Sequence, residues 1–392
     1  MMYTYSSDND FQLESGIKLS RHRPRRHLFA DNANQDLVSS QPGLSTVQTG
    51  KTKNRIGFSI RNILIAILLF SSSLAIICLP TYAHHGGIST AFGPGSPVET
   101  ASPMTLGKGK FLLYERIEYV SFRERNNAEP ENIDTFAFFN TLAGLGLTDA
   151  LSLYITIPVA IKEQDSLGKS SGFGDLEFVA QYGFKLGERD GIRGLYRNGP
   201  DDSDGAPYTT DDLKMSFTGS GSLPIGTTSN NDDLGNRFDI GLQPGFGAPS
   251  FSLGFSASQR LLPYFTLTAD TSIKTFLKYK DKKAGNEIRF NVAGGFVVYE
   301  NRDRFLSRVD IITEANGLHL TKDRAEDNKT DHESGGTILY LSPGFRMSLG
   351  QHISVGTLIK FPVWQSLNNE SLQQGSEGLE NYRAILTFTV SF

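Results

Sequence analysis

Apolar and polar residues alternate along the last eleven positions, Tyr382 to Phe392. Tyr382, Ala384, Leu386, Phe388, Val390 and Phe392 fall on one side of a two-residue repeat. Arg383, Ile385, Thr387, Thr389 and Ser391 fall on the other, with Ile385 as its one apolar member. A period of two marks a β-strand with a single apolar face. The repeat recurs upstream. One segment sets Leu176, Phe178, Ala180, Tyr182, Phe184 and Leu186 against Asp175, Glu177, Gln181 and Lys185. Another sets Ile288, Phe290, Val292, Phe296 and Val298 against Glu287, Arg289 and Asn291. Val309, Ile311 and Ala315 oppose Arg308, Asp310, Glu314 and Asn316, and Ile359, Phe361 and Val363 oppose Lys360. Similar segments lie near 109–122, 134–146, 150–162, 211–224, 249–260, 264–276 and 336–349, so the pattern predicts about twelve strands.

Strand length selects the architecture. Strands of soluble sandwiches run about 5–6 residues, whereas a tilted membrane-spanning strand needs about 9–11. Most of these segments are roughly 11 to 14 residues long, and no helix-period segment interrupts them. The expected fold is all-β, a transmembrane antiparallel up-and-down β-barrel with its apolar face toward lipid. Short joins at 147–151, 260–264 and 348–352, with a slightly longer one at 301–307, alternate with long polar joins. The long joins are 123–133, 163–172, 225–248, 277–285, 320–335 and 366–380. That alternation matches tight periplasmic turns and longer external loops. The join at 187–212 is long where a tight turn is expected, and reads as an insertion or as a short hairpin.

Composition sharpens the picture. The 392 residues include 40 Gly, 27 Phe and 14 Tyr but one Trp and one Cys, a mix suited to many strands joined by turns. The mean hydropathy of -0.26 argues against a helical membrane protein. The only long apolar run, Ile63 to Leu79, follows Lys51, Lys53, Arg55 and Arg61 and precedes a small-residue exit at Thr81 and Ala83. This is the layout of a secretory signal peptide. A retained anchor is the competing reading, and Pro80 with the cleavage-like exit favours removal. The chain therefore divides into a polar leader at 1–54, which a start codon set too far upstream explains as well as any function does, and a signal at 55–83. A flexible periplasmic segment or plug at 84–107 and the barrel at 108–392 follow. Nine of the 38 Lys and Arg but five of the 42 Asp and Glu lie in residues 1–83, which leaves the remainder acidic by eight. Nucleic acid is thus not an expected partner. Outer-membrane lipids, the outer-membrane assembly machinery and a small-molecule solute are.

Several stretches resemble the outer-membrane family named for the meta-pathway of phenol degradation. They are "FGPGSP" (92–97), "GFGDLEF" (172–178), "LPIG" (223–226), "GFGAPSFSLGFSAS" (245–258), "LSPGFR" (341–346), "FPVW" (361–364) and the closing "NYRAILTFTVSF". The resemblance implies an outer-membrane barrel that passes small, often aromatic, molecules, and it supplies no catalytic residues. The terminal Phe392 resembles the signal that the assembly machinery reads on the last strand of bacterial barrels.

Function is expected on the lumen face. Asp175, Glu177, Lys185, Arg289, Arg308, Asp310, Glu314, Arg346, Lys360 and Arg383 all lie on the polar sides of their strands and are candidate pore-lining residues, since charges at a constriction decide what passes. The bland alternative is a network of ion pairs filling a narrow barrel. Asp310, Glu314, Arg346 and Lys360 are expected to form one mixed-charge wall. Asn291, inward, is expected to accept an arginine that its outward neighbour Val292 would not. His84 and His85 lack further ligands nearby for a metal, and "DDSDG" (201–205) misses the spacing of a calcium loop, so neither metal nor cofactor is expected. A barrel enzyme would need a nucleophile with a base in reach, and His319, His332 and His352, the barrel histidines, stand in no evident Ser–His–acid arrangement. A pore-less structural barrel remains open, because residues 84–107 could fold inward.

Overall fold

A computed structural model describes residues 97–124, 132–187, 191–193, 213–279, 282–324, 329–330, 334–367 and 379–392. The leader, the apolar run at 63–79, His84 and His85, the acidic stretch at 201–205 and His332 lie outside the described residues. The first strand, β1 (Phe111–Phe122), pairs antiparallel with the last, β14 (Glu380–Ser391), from Leu112 opposite Ser391 to Val120 opposite Arg383. Between them every strand lies beside its chain neighbour: β2 (Ile133–Gly146), β3 (Leu151–Gln164), β4 (Gly168–Phe173), β5 (Leu176–Gly187), β7 (Leu213–Leu223), β8 (Ser250–Leu262) and β9 (Phe265–Phe276). β10 (Glu287–Glu300), β11 (Leu306–Leu320), β12 (Gly336–Leu349) and β13 (Ile353–Leu367) complete the wall. The result is a closed antiparallel barrel of twelve wall strands.

The count is twelve because β4 and β5 form one broken strand. β3 pairs with β4 over Val159–Gln164 and with β5 over Leu151–Thr156, the break falling at Gly174 and Asp175. The join expected at 163–172 is therefore a hairpin with a three-residue turn, not an open loop. Its pattern escapes a hydrophobic reading because Lys162, Gln164 and Ser170 fill its buried positions, past the apolar band. At the other end, β6 (Gly191–Arg193) pairs with β5, Lys185 opposite Arg193, so the irregular 187–212 join begins with a short hairpin.

The polarity of a soluble protein is inverted. On β14, Leu386 and Phe388 are 45% and 44% exposed while Arg383 is 4%. On β11, Ile311 is 50% exposed and Glu314 fully buried. Among the most enclosed side chains are Arg116, Glu99, Glu118, Glu314 and Glu380. Charge is sheltered and apolar area is displayed, the polarity that suits a hydrocarbon surrounding. Outward aromatics band the wall: Phe111 beside Phe392 (ring centroids 6.4 Å apart) at the short-turn end, and Tyr119 beside Tyr382 (6.2 Å) at the long-loop end. Phe184, Phe217 and Phe255 run across three neighbouring strands at 5.6 and 5.3 Å. Ile385, the apolar member of an otherwise polar face, is buried inward with Val98, Ile312 and Leu358.

Depth in the membrane is testable. Leu341 is outward and mid-strand on β12, and Phe305 is outward in the β10–β11 turn. Leu341→Arg should lower the unfolding free energy of the vesicle-embedded barrel by about 2–4 kcal/mol and Phe305→Arg by about 0–1. Equal costs in denaturant titrations would contradict the assigned lipid face.

Candidate functional site

The lumen is not empty. Residues 97–107 run through it, entering at the short-turn end across Gly146, whose missing side chain matters: a Cβ there would lie 2.1 Å from the Gly107 carbonyl oxygen. Gly109 N–H donates to the Gly146 carbonyl at 2.8 Å, Lys108 N–H to Asp149 Oδ1 at 3.0 Å, and Leu106 N–H to Ser152 Oγ at 2.8 Å. Leu106 packs inside against Leu112, Tyr114, Leu142, Tyr154 and Val179. Deeper, Gln181 Nε2 donates to the Ser102 carbonyl at 2.7 Å and Ala101 N–H to Asp270 Oδ2 at 2.8 Å. Glu314 then accepts the backbone N–H of Val98, Glu99 and Thr100 at 2.8–3.0 Å, plus the Thr100 hydroxyl at 2.6 Å. One carboxylate thus gathers four donors of the segment. Hydrogen bonds to a charged acceptor contribute about 1.5–3 kcal/mol each.

Glu99 itself reaches cations on both sides of β11. Its Oε2 lies 2.5 Å from Arg116 Nη2 on β1, and its Oε1 lies 2.8 Å from Lys360 Nζ on β13 and 3.6 Å from Arg289 Nη1 on β10. Burial opposes the Glu99 charge, yet Lys360, Arg116 and Arg289 outweigh it and hold the carboxyl well below the usual carboxylate range. The cations have wall partners too. Glu118 bridges Arg116 and Arg383 at 2.7 Å each, Glu287 lies 3.2 Å from Arg289, and Glu380 meets Arg383 and the Tyr340 hydroxyl. Lys360 Nζ also sits 4.4 Å over the Tyr340 ring.

The sequence-predicted residues divide among distinct tasks. Arg289, Lys360 and Arg383 join the Glu99 network, and Glu314 holds the segment's backbone. Asp310 pairs with Arg308 at 2.8 Å and Arg346 at 3.4 Å, nearer the short-turn end. The four residues expected to form one mixed wall therefore split three ways. Glu177 accepts from Lys274 at 3.2 Å and from Ser220, and Lys185 lies half-buried near the short-turn end of β5, opposite Lys214. Asn291 is no open lumen position: its amide donates to Asp270 and accepts from Asn316 Nδ2 at 3.2 Å, so an arginine there would clash with a filled interior. Sequence reading missed Arg116, Glu118, Lys274, Glu380 and Glu99. A signal existed: opposite charges two residues apart share one strand face, as in Arg116 and Glu118, Glu287 and Arg289, Arg308 and Asp310. On β1 it was masked, because Leu112, Tyr114, Val120 and Phe122 are also inward.

The long-loop end is closed by the β7–β8 connection, residues 224–249, which dips inward through a single 3-10 turn at Ile240–Leu242. Lys162 Nζ donates to the Gly241 and Gln243 carbonyls at 2.5 and 3.0 Å. Phe238 and Leu242 pack with Val120, Phe122, Phe136 and Phe138. Asp175, at the break between β4 and β5, staples the loop: it accepts Gly226 N–H at 2.9 Å and Phe246 N–H at 2.8 Å. A Cβ on Gly226 would come within 2.7 Å of the Gly174 backbone, so only glycine lets these strands of chain meet. Three separated stretches of the resemblance, "GFGDLEF", "LPIG" and "GFGAPS", converge on this one carboxylate. Beside it lies a cavity of about 350 Å³ lined by Phe238, Phe246, Phe276 and Tyr279 with Arg237 and Lys282.

Of the described histidines, His319 Nδ1 lies 2.8 Å from the Thr337 hydroxyl and His352 Nδ1 2.8 Å from the Ser391 carbonyl, at opposite ends of the barrel. Among the described residues no group of His, Cys, Asp and Glu is placed to hold a metal ion.

The staple can be broken. Asp175→Ala removes two hydrogen bonds to a charged acceptor, so trypsin should cleave after Arg237 about tenfold faster or more in the folded barrel. Unchanged cleavage would mean that Phe238 and Leu242 alone hold the loop.

No protein-family model matches the chain, and no curated protein matches it in sequence. Solved structures do. An outer-membrane channel from Pseudomonas putida F1 superposes with a TM-score of 0.51 at 12% identity, covering 77% of this chain and all of that one. The translocator domain of the autotransporter NalP from Neisseria meningitidis gives a TM-score of 0.36 at 8% identity, covering 73% of this chain and 89% of its own. At these identities the first likeness is one of fold, and the fold is that of an outer-membrane β-barrel.

Proposed function

We propose that the protein is an outer-membrane channel for small solutes, apolar or aromatic ones among them, whose lumen is closed at rest by residues 97–107. The observation that carries this reading is how that segment is held. Among the described residues it forms no β-ladder with a wall strand inside the lumen, and it is held by wall side chains, Glu314, Asp270, Gln181 and the cations around Glu99. A segment held in this way can leave without opening the sheet. Twelve strands enclose more than an eight-stranded barrel, which side chains alone fill, so its departure would leave a passage. The cavity at the long-loop end, with four aromatic rings, two cations and the Asp239 carboxylate, suits the entry of small aromatic molecules, in keeping with the resemblance to the phenol meta-pathway family. On this reading the short turns face the periplasm, lipid covers the outward face, and the assembly machinery engages Phe392.

A structural barrel without a pore is the second reading, favoured by closure from both ends. Planar-bilayer recording separates the two. Wild-type barrel should conduct weakly, and Glu314→Ala, which removes the acceptor of four plug donors, should raise open-state conductance severalfold. If Glu314→Ala and a barrel lacking residues 97–107 both fail to conduct, the structural reading replaces the channel.

Phe392 closes the sheet, exchanging backbone hydrogen bonds with Phe111 at 2.9 and 3.2 Å. Its deletion should lower the yield of heat-modifiable folded barrel in the membrane fraction. Undiminished yield would remove the proposed role in assembly.

A further inference from the structure

We infer that the lumen wall carries a carboxylate-binding site for small organic acids with an apolar body, and that Val98 and Glu99 occupy it as a built-in ligand. Three cations from strands far apart in the chain, Arg116, Arg289 and Lys360, converge on a single carboxylate that does not belong to the wall. The wall acids Glu118, Glu287 and Glu380 serve four wall cations, Arg383 included, and Glu99 is the fourth acid of the set. Without it the four buried cations would be one counter-charge short, which is costly where water is excluded. Asn140, opposite Arg116 in register, adds a buried side-chain amide nitrogen with no hydrogen-bond partner among the described residues. Beside the cradle, Ile312, Leu358 and Ile385 form an apolar patch, and Val98 fills it.

Carboxylate and apolar body are thus recognised side by side. Recognition of a planar carboxylate by guanidinium and ammonium groups is strong and directional. A solute that displaces the segment altogether must also satisfy Glu314, which favours acids carrying an N–H or O–H donor near the carboxylate. On the channel reading, on which this consequence rests, such solutes compete with Glu99 and favour the open lumen. The site itself does not depend on conduction.

Chemical rescue tests it in the full chain. Glu99→Ala deletes a group the size of acetate while the backbone N–H donors stay on Glu314. Titration calorimetry of the detergent-solubilised barrel, folded by heat-modifiable mobility, should give acetate binding about tenfold tighter or more than to wild type. The neutral isostere acetamide should not bind. Glu99→Gln, which fills the space without the charge, should not bind acetate either, and Lys360→Met in the Glu99→Ala background should lose the binding. Equal binding of acetate and acetamide, or equal binding by wild type and Glu99→Ala, would overturn the site. Binding by Glu99→Ala without any conductance would keep the site and discard the channel.

Discussion

Every backbone N–H and C=O placed in hydrocarbon must find a partner within the protein, and in a sheet only closure provides one for the first and last strands. The pairing of β1 with β14 is where this chain meets that demand, from Leu112 opposite Ser391 to Val120 opposite Arg383. Phe392 extends the ladder onto Phe111. The inversion of polarity accompanies closure. Once the sheet is a cylinder, one face of each strand turns outward and the other shares an enclosed interior with every other strand.

That interior sets the second problem. Inward charges such as Arg116, Glu118, Arg383 and Glu380 are sheltered from water and need partners across the wall as well as along it. The wall meets most of the demand, with acids bridging cations on neighbouring strands. Glu99 meets the remainder from outside the sheet, and Glu314 takes the backbone of the same segment. The contacts that stabilise the interior thus run through one short stretch of chain inside the barrel.

The long-loop end repeats the arrangement with less charge. Asp175 accepts two backbone N–H groups from residues about 50 and 70 positions away, and Phe238 and Leu242 seal the loop against inward aromatics of β1 and β2. The break between β4 and β5 falls at Gly174 and Asp175, beside the loop whose N–H groups Asp175 accepts.

The alternation of apolar and polar residues determined the strands, their number and the two faces of each, and their length pointed to a closed sheet, because a two-residue period and the length over which it holds are local properties. It also placed Arg289, Asp310, Glu314, Lys360 and Arg383 inside. Which inward residues meet was decided only by the tertiary structure. Asp310 finds Arg346 on the next strand, but Lys360 finds Glu99, 261 positions away, and Arg383 finds Glu118 at 265. Such meetings depend on the stagger of the closed cylinder and on a segment without periodicity entering it. Neither leaves a mark in the spacing of residues along the chain, since closure joins positions that local sequence cannot relate.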